Sequence, residues 1–123
     1  MNAAATTLGR ILIAVLFILA GVGKVMDPAS TAAYIEAESP LPGSLAIVVG
    51  AFELLAGLVL ASGYFTRIAS LSLAGFTLLA TVLFHENLAD QLQLTMALKN
   101  LAVIGGLLVI YAQGDARAKP AAG

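Results

Sequence analysis

Apolar residues gather along this chain into four runs: Leu8 to Met26, Ser44 to Ala61, Ile68 to Phe84 and Met96 to Ala112. Each is near the roughly 20 residues that an α-helix needs to cross the hydrocarbon core of a bilayer. The pattern predicts four spans, at about 8–26, 44–62, 67–84 and 96–112, and the connections between them are short. The expected architecture is therefore an all-α, four-helix transmembrane bundle running up-down-up-down, built as one integral membrane domain over residues 1–123. The longest connection, Asp27 to Gly43, is punctuated by Pro28, Pro40, Pro42 and Gly43. Asp27 before Pro28 reads as a helix start, with proline at the first helical position. A short interfacial helix over Ala29 to Ala37 is thus expected between spans one and two. Gly63-Tyr64-Phe65-Thr66 reads as a tight turn in which Thr66 caps span three. The tail, 113–123, mixes Gly, Ala, Pro and charge and is expected to be flexible.

Composition narrows the function classes. The 123 residues are 60% hydrophobic and only 11% charged, which would leave a soluble bundle without a polar exterior. An N-terminal signal peptide fits less well than a span, because the first apolar run continues into Lys24, an interfacial lysine. A net charge of −1 supplies no basic patch, so nucleic acid is not an expected partner. The sequence has no cysteine, which removes dithiol and iron–sulfur chemistry, and one histidine without a second ligand makes no zinc or haem site, so no metal is expected. No nucleotide-binding glycine motif is present.

Charge also orients the spans. Arg10, Arg67, Arg117 and Lys119 lie at one set of span ends, whereas the two opposite connections carry Asp27, Glu36, Glu38, Glu86 and Asp90 without Lys or Arg. The positive-inside rule puts both termini in the cytoplasm. Arg10 and Arg67 then read as topology anchors.

Glu53 is the one charge in the eighteen residues from Ser44 to Ala61. A carboxylate in mid-span costs about 2.5–3.5 kcal/mol on insertion scales and is expected to face the bundle interior beside a partner. Glu53 lies about nine residues, or ~13 Å, from the outer end of its span. Lys24, His85, Lys99 and Asn100 come to the same outer layer from the other three spans. Gly50, Glu53 and Gly57 share one helix face, as do Phe17, Gly21 and Lys24, and likewise Lys99, Ala102 and Gly106, so small residues accompany the polar ones on the packing stripes. Two readings follow for Glu53 with Lys99 or Lys24: a structural ion pair that fixes register, or a protonatable site for a quinone, a proton or a small polar ligand.

Three stretches carry a family resemblance: Arg10-Ile-Leu-Ile-Ala-Val-Leu-Phe-Ile-Leu-Ala-Gly-Val-Gly-Lys24, Gly50-Ala-Phe-Glu-Leu-Leu-Ala-Gly57 and Leu98-Lys-Asn-Leu-Ala-Val-Ile-Gly-Gly106. In order and spacing they resemble the DoxX family of small four-helix bacterial membrane proteins, over about residues 8 to 112. The resemblance implies an oxidoreductase-linked subunit of the cytoplasmic (inner) membrane, with relatives linked to quinone reduction or to membrane complexes. It carries the family's polar positions onto Arg10, Lys24, Glu53, Lys99, Asn100 and His85. Electron transfer in a chain without thiols would need a bound quinone or a partner protein. The working reading is a non-autonomous subunit of a respiratory or redox complex, with Glu53 exchanging a proton and Lys24, Lys99, Asn100 and His85 binding the ligand. The alternatives are a structural or assembly subunit, and a small transporter or proton pathway.

Overall fold

The computed structural model describes residues 3–84 and 89–115, and all regular structure among them is helical. Five helices follow one another: α1 (Ala3–Met26), α2 (Pro28–Glu38), α3 (Leu45–Ser62), α4 (Thr66–Phe84) and α5 (Gln91–Gln113). Four of these, α1, α3, α4 and α5, are long and apolar enough to cross a membrane. His85 and Glu86 lie outside the described residues, as do Arg117 and Lys119.

Helix ends depart from the apolar runs where polar residues can hold another turn. Asp90 caps α5, its Oδ1 accepting from the N–H of Leu92 at 2.9 Å and of Gln93 at 3.2 Å. The helix therefore begins at Gln91, before the apolar run that starts at Met96. Asp27 caps α2 in the expected way, accepting from Ser30 N–H at 3.2 Å with Pro28 at the first helical position. Glu36 then ties the loop back, its Oε2 accepting from Gly43 N–H at 3.2 Å.

The α3–α4 turn is tight, with Gly63 at φ 85° and Phe65 at φ 52°, both in the left-handed region. Thr66 is the first residue of α4, and its hydroxyl donates to the Gly63 carbonyl at 2.8 Å. The cap of α4 comes instead from the far end of the chain, where Asp115 Oδ1 accepts from Arg67 N–H at 3.0 Å.

Packing divides the bundle into two hairpin-like pairs. α1 packs most extensively on α3 and α4 on α5, and α3 against α4 joins the pairs. Glycine sets the first crossing. A methyl group on Gly21 would fall 2.5 Å from the Leu54 backbone nitrogen and 2.7 Å from the Gly50 carbonyl oxygen, and one on Gly57 would meet Ile18 at 2.9 Å. This is the close backbone approach that small residues allow in membranes, where hydrophobicity alone does not drive helices together. The core around Ala14, Phe17, Leu60, Leu73 and Leu107 fills the junction between the pairs. Leucines and valines elsewhere on the four helices point outward, as a lipid-facing surface requires.

Candidate functional site

The stripe Ala46, Gly50, Glu53, Gly57 and Leu60 is the buried face of α3, which turns the carboxylate inward. Glu53 is only 4% exposed. Its Oε1 lies 2.7 Å from Lys24 Nζ, an ion pair between the two helices that Gly21 and Gly50 bring together. The lysine side chain keeps 29% of its surface accessible, against 6% for the carboxylate. Among the described residues Oε1 nevertheless has no partner that satisfies hydrogen-bond geometry, so Lys24 compensates its charge without supplying an aligned donor. A half-satisfied buried acceptor of this kind keeps capacity for one more donor.

Beside the pair lies a cavity of about 500 Å³, between the α1–α3 and α4–α5 pairs and toward α2. Phe17, Val49, Phe76 and Leu83 are among its apolar walls, and Lys24, Glu53, Lys99 and Asn100 all line it. Asn100 faces inward and its Nδ2 donates to Thr81 Oγ1 at 2.9 Å; Thr81 in turn donates to the Thr77 carbonyl at 2.7 Å. Lys99 does not reach Glu53. The inward stripe of α5 runs through Ala97, Asn100, Val103 and Leu107, and Lys99, one residue or about 100° away from Asn100, is exposed at the cavity rim. The expected Lys99–Ala102–Gly106 packing stripe is accordingly displaced, with Ala102 exposed and Gly106 meeting only the tip of Ile13. His85 falls outside the described residues.

Sequence reasoning missed the contribution of α2. Thr31, Tyr34 and Ile35 line the same cavity from above. Tyr34 stacks on Phe84 with ring centroids 5.5 Å apart, which pins α2 to the end of α4. Burial pushes the Tyr34 phenol above its ordinary value, and the nearby Glu38 carboxylate adds to the effect. The available signal was the i, i+3, i+4 spacing of Thr31, Tyr34 and Ile35, and the Thr77–Thr81 pair at i, i+4 within an otherwise apolar span.

At the other end of the bundle lies Arg10, expected as a topology anchor. It is buried, at 5% exposure, and its Nε donates to the Leu60 carbonyl at 3.2 Å. Arg67 keeps a peripheral position, its guanidinium 4.5 Å over the Tyr111 ring.

Chemically, the upper cavity joins a large apolar volume to a carboxylate–ammonium pair and an amide at its edge. Such a lining accommodates a flat apolar molecule bearing a carbonyl or hydroxyl oxygen, which Lys24 would meet as donor and Glu53 as proton acceptor.

Comparison with known proteins agrees with this architecture. The DoxX family model matches residues 5–86. The inner membrane protein YqjF of Escherichia coli (strain K12) is 42% identical over 105 residues, covering 85% of this chain and 80% of that protein. No solved structure matches the chain.

Proposed function

The chain belongs to the DoxX family of membrane proteins, and from that premise we propose that it is an inner-membrane subunit of a respiratory or redox assembly that binds a quinone-like ligand beside Glu53. The observation that carries this reading is the pairing of a 500 Å³ apolar cavity with a buried carboxylate whose Oε1 has an ion-pair partner but no aligned donor. Lys24 would hold the ligand oxygen, Glu53 would exchange a proton with it, and Asn100 and Lys99 would bound the site toward α5. A quinone, when bound, would supply the redox chemistry; this chain would orient it, exclude water from it and move its proton. Electrons would then come from a membrane partner, since the sequence has neither cysteine nor a nucleotide motif. The similarity to YqjF, named as an inner membrane protein, supports the same membrane for this chain, and the charge distribution supports cytoplasmic termini.

The test is purification in native nanodiscs followed by extraction and mass spectrometry of lipid-soluble molecules. Wild type should retain quinone, and Glu53→Gln should lose most of it, about tenfold, because one charge-assisted contact of ~1.5 kcal/mol is removed. Equal retention by both proteins, or none by either, would exclude the site.

One observation favours a second reading. The Lys24–Glu53 contact of 2.7 Å joins α1 to α3 at their glycine crossing, which would help fix the register of a structural or assembly subunit. In that case Glu53→Gln with Lys24→Met would lower stability without changing the content of any co-purified molecule.

A further inference from the structure

Arginine stays charged at every physiological pH, and a guanidinium removed from water is tolerated only where its donors are met by anions or carbonyls. Arg10 breaks that expectation: at 5% exposure its one bond among the described residues is Nε to the Leu60 carbonyl, and Nη1 is buried with no partner among them. It forms no ion pair among the described residues. Arg10 is among the residues that line a second cavity of about 400 Å³, at the end of the bundle where α1 begins and α5 ends, remote from Glu53.

That cavity is built for an anion. Ala3, Thr6, Thr7 and Arg10 recur at i, i+3, i+4 and i+7 along α1, so two threonines and the arginine line it from one helix face. Thr66, the first residue of α4, opens onto it from the opposite side and brings the positive end of that helix dipole. Gln113 lines it from α5. The one acidic lining residue, Asp115, is already engaged in capping α4 through Arg67 N–H and makes no ion pair with Arg10.

We propose that this cavity is an oxyanion site in which the Arg10 guanidinium, with the Thr7 hydroxyl, holds a phosphate group, either of an anionic lipid headgroup or of a soluble phosphate. The site is independent of the ligand proposed beside Glu53. A planar guanidinium with a free N–H suits a phosphate oxygen better than a monatomic anion, because directional charge-assisted bonds form.

The purified full chain in a neutral detergent tests this with three probes: inorganic phosphate, phosphatidylglycerol and phosphatidylcholine. Thermal unfolding should shift upward with phosphate against chloride at equal ionic strength if the ligand is soluble. It should shift with phosphatidylglycerol over phosphatidylcholine, with the former retained in native mass spectra, if the ligand is a headgroup. Arg10→Gln should weaken the responding probe at least about tenfold. No shift with any probe, or the same shift in Arg10→Gln, overturns the site. Should Arg10→Gln fail to fold, Asp115→Asn decides, since Asn retains an oxygen for the Arg67 N–H. Removing the one carboxylate at the cavity should tighten binding several-fold. Lost stability with no gain in binding would make Asp115 the counterion of Arg10 and sink the proposal.

Discussion

Glu53 and Lys24 are paired but not equivalent, and the difference fixes what each substitution should do. Lys24 is partly accessible and on a flexible stem, so once Glu53 is neutralised its ammonium can swing toward the interface. Glu53 is held on the buried stripe of α3 and has no such escape. Lys24→Met should therefore destabilise by about 2–4 kcal/mol, and Glu53→Gln by about 1–2, with the double variant recovering part of the loss. Unfolding in mixed micelles measures all three, and equal costs for the two single variants would contradict this asymmetry. Tyr34 supplies a pH-dependent counterpart at the other side of the same cavity. Its phenol is held above the usual tyrosine value, so the folded state binds that proton more tightly than the unfolded chain. The resulting stabilisation is complete below about pH 10, the ordinary phenol value, and fades as the pH rises through the higher folded value. Tyr34→Phe should remove that alkaline limb of the stability curve, and an unchanged limb would assign it to another group.

Among the elements, the α1–α3 crossing depends most on single atoms. A methyl at Gly21 would strike backbone at 2.5 and 2.7 Å, which no rotamer change relieves, whereas at Gly106 it would meet only the flexible end of Ile13 at 2.8 Å. Gly21→Ala should cost about 2–3 kcal/mol by overpacking, and Gly106→Ala less than about 1. Gly9 has open space around it, so Gly9→Ala should be neutral or stabilising by up to about 1 kcal/mol. Comparable losses at Gly21 and Gly106 would mean that α1 and α3 do not approach as described. These elements also mark how far the sequence could be read. Four apolar runs and one proline-punctuated connection were enough for the helices, because bilayer thickness and backbone hydrogen bonding leave few alternatives. Glu53 was legible as a buried charge because nothing near it in sequence resembles it. Its partner was less so, since Lys24 and Lys99 reach the same depth and only the rotation of α5, one residue out from the estimate, puts Asn100 inward and Lys99 at the rim. Asp115 as the cap of α4 was not legible at all, because that bond joins residues 48 positions apart.

For the whole molecule, the two cavities sit at opposite ends of the bundle and differ in kind. The one toward α2 is mostly apolar and holds the Lys24–Glu53 pair; the one at the chain ends is flanked by Arg10, whose Nη1 has no partner among the described residues. That polarity bears on orientation. An even number of spans returns the chain to its starting side, and Arg10 and Arg67 lie at that end, so reporters fused to either terminus should both report cytoplasm. The Arg10 cavity would then open among the anionic headgroups and phosphates of the cytoplasmic side, while the Glu53 cavity would lie in the outer half. Moving positive charge tests whether Arg10 matters to orientation or to binding. Because Arg10 is buried and bonded to Leu60, while Arg67 is peripheral over Tyr111, Arg67→Glu should disturb reporter topology more than Arg10→Gln. If Arg10→Gln inverts the reporters while Arg67→Glu does not, the buried guanidinium acts in insertion, and the anchor reading of Arg10 would replace the one drawn from its burial.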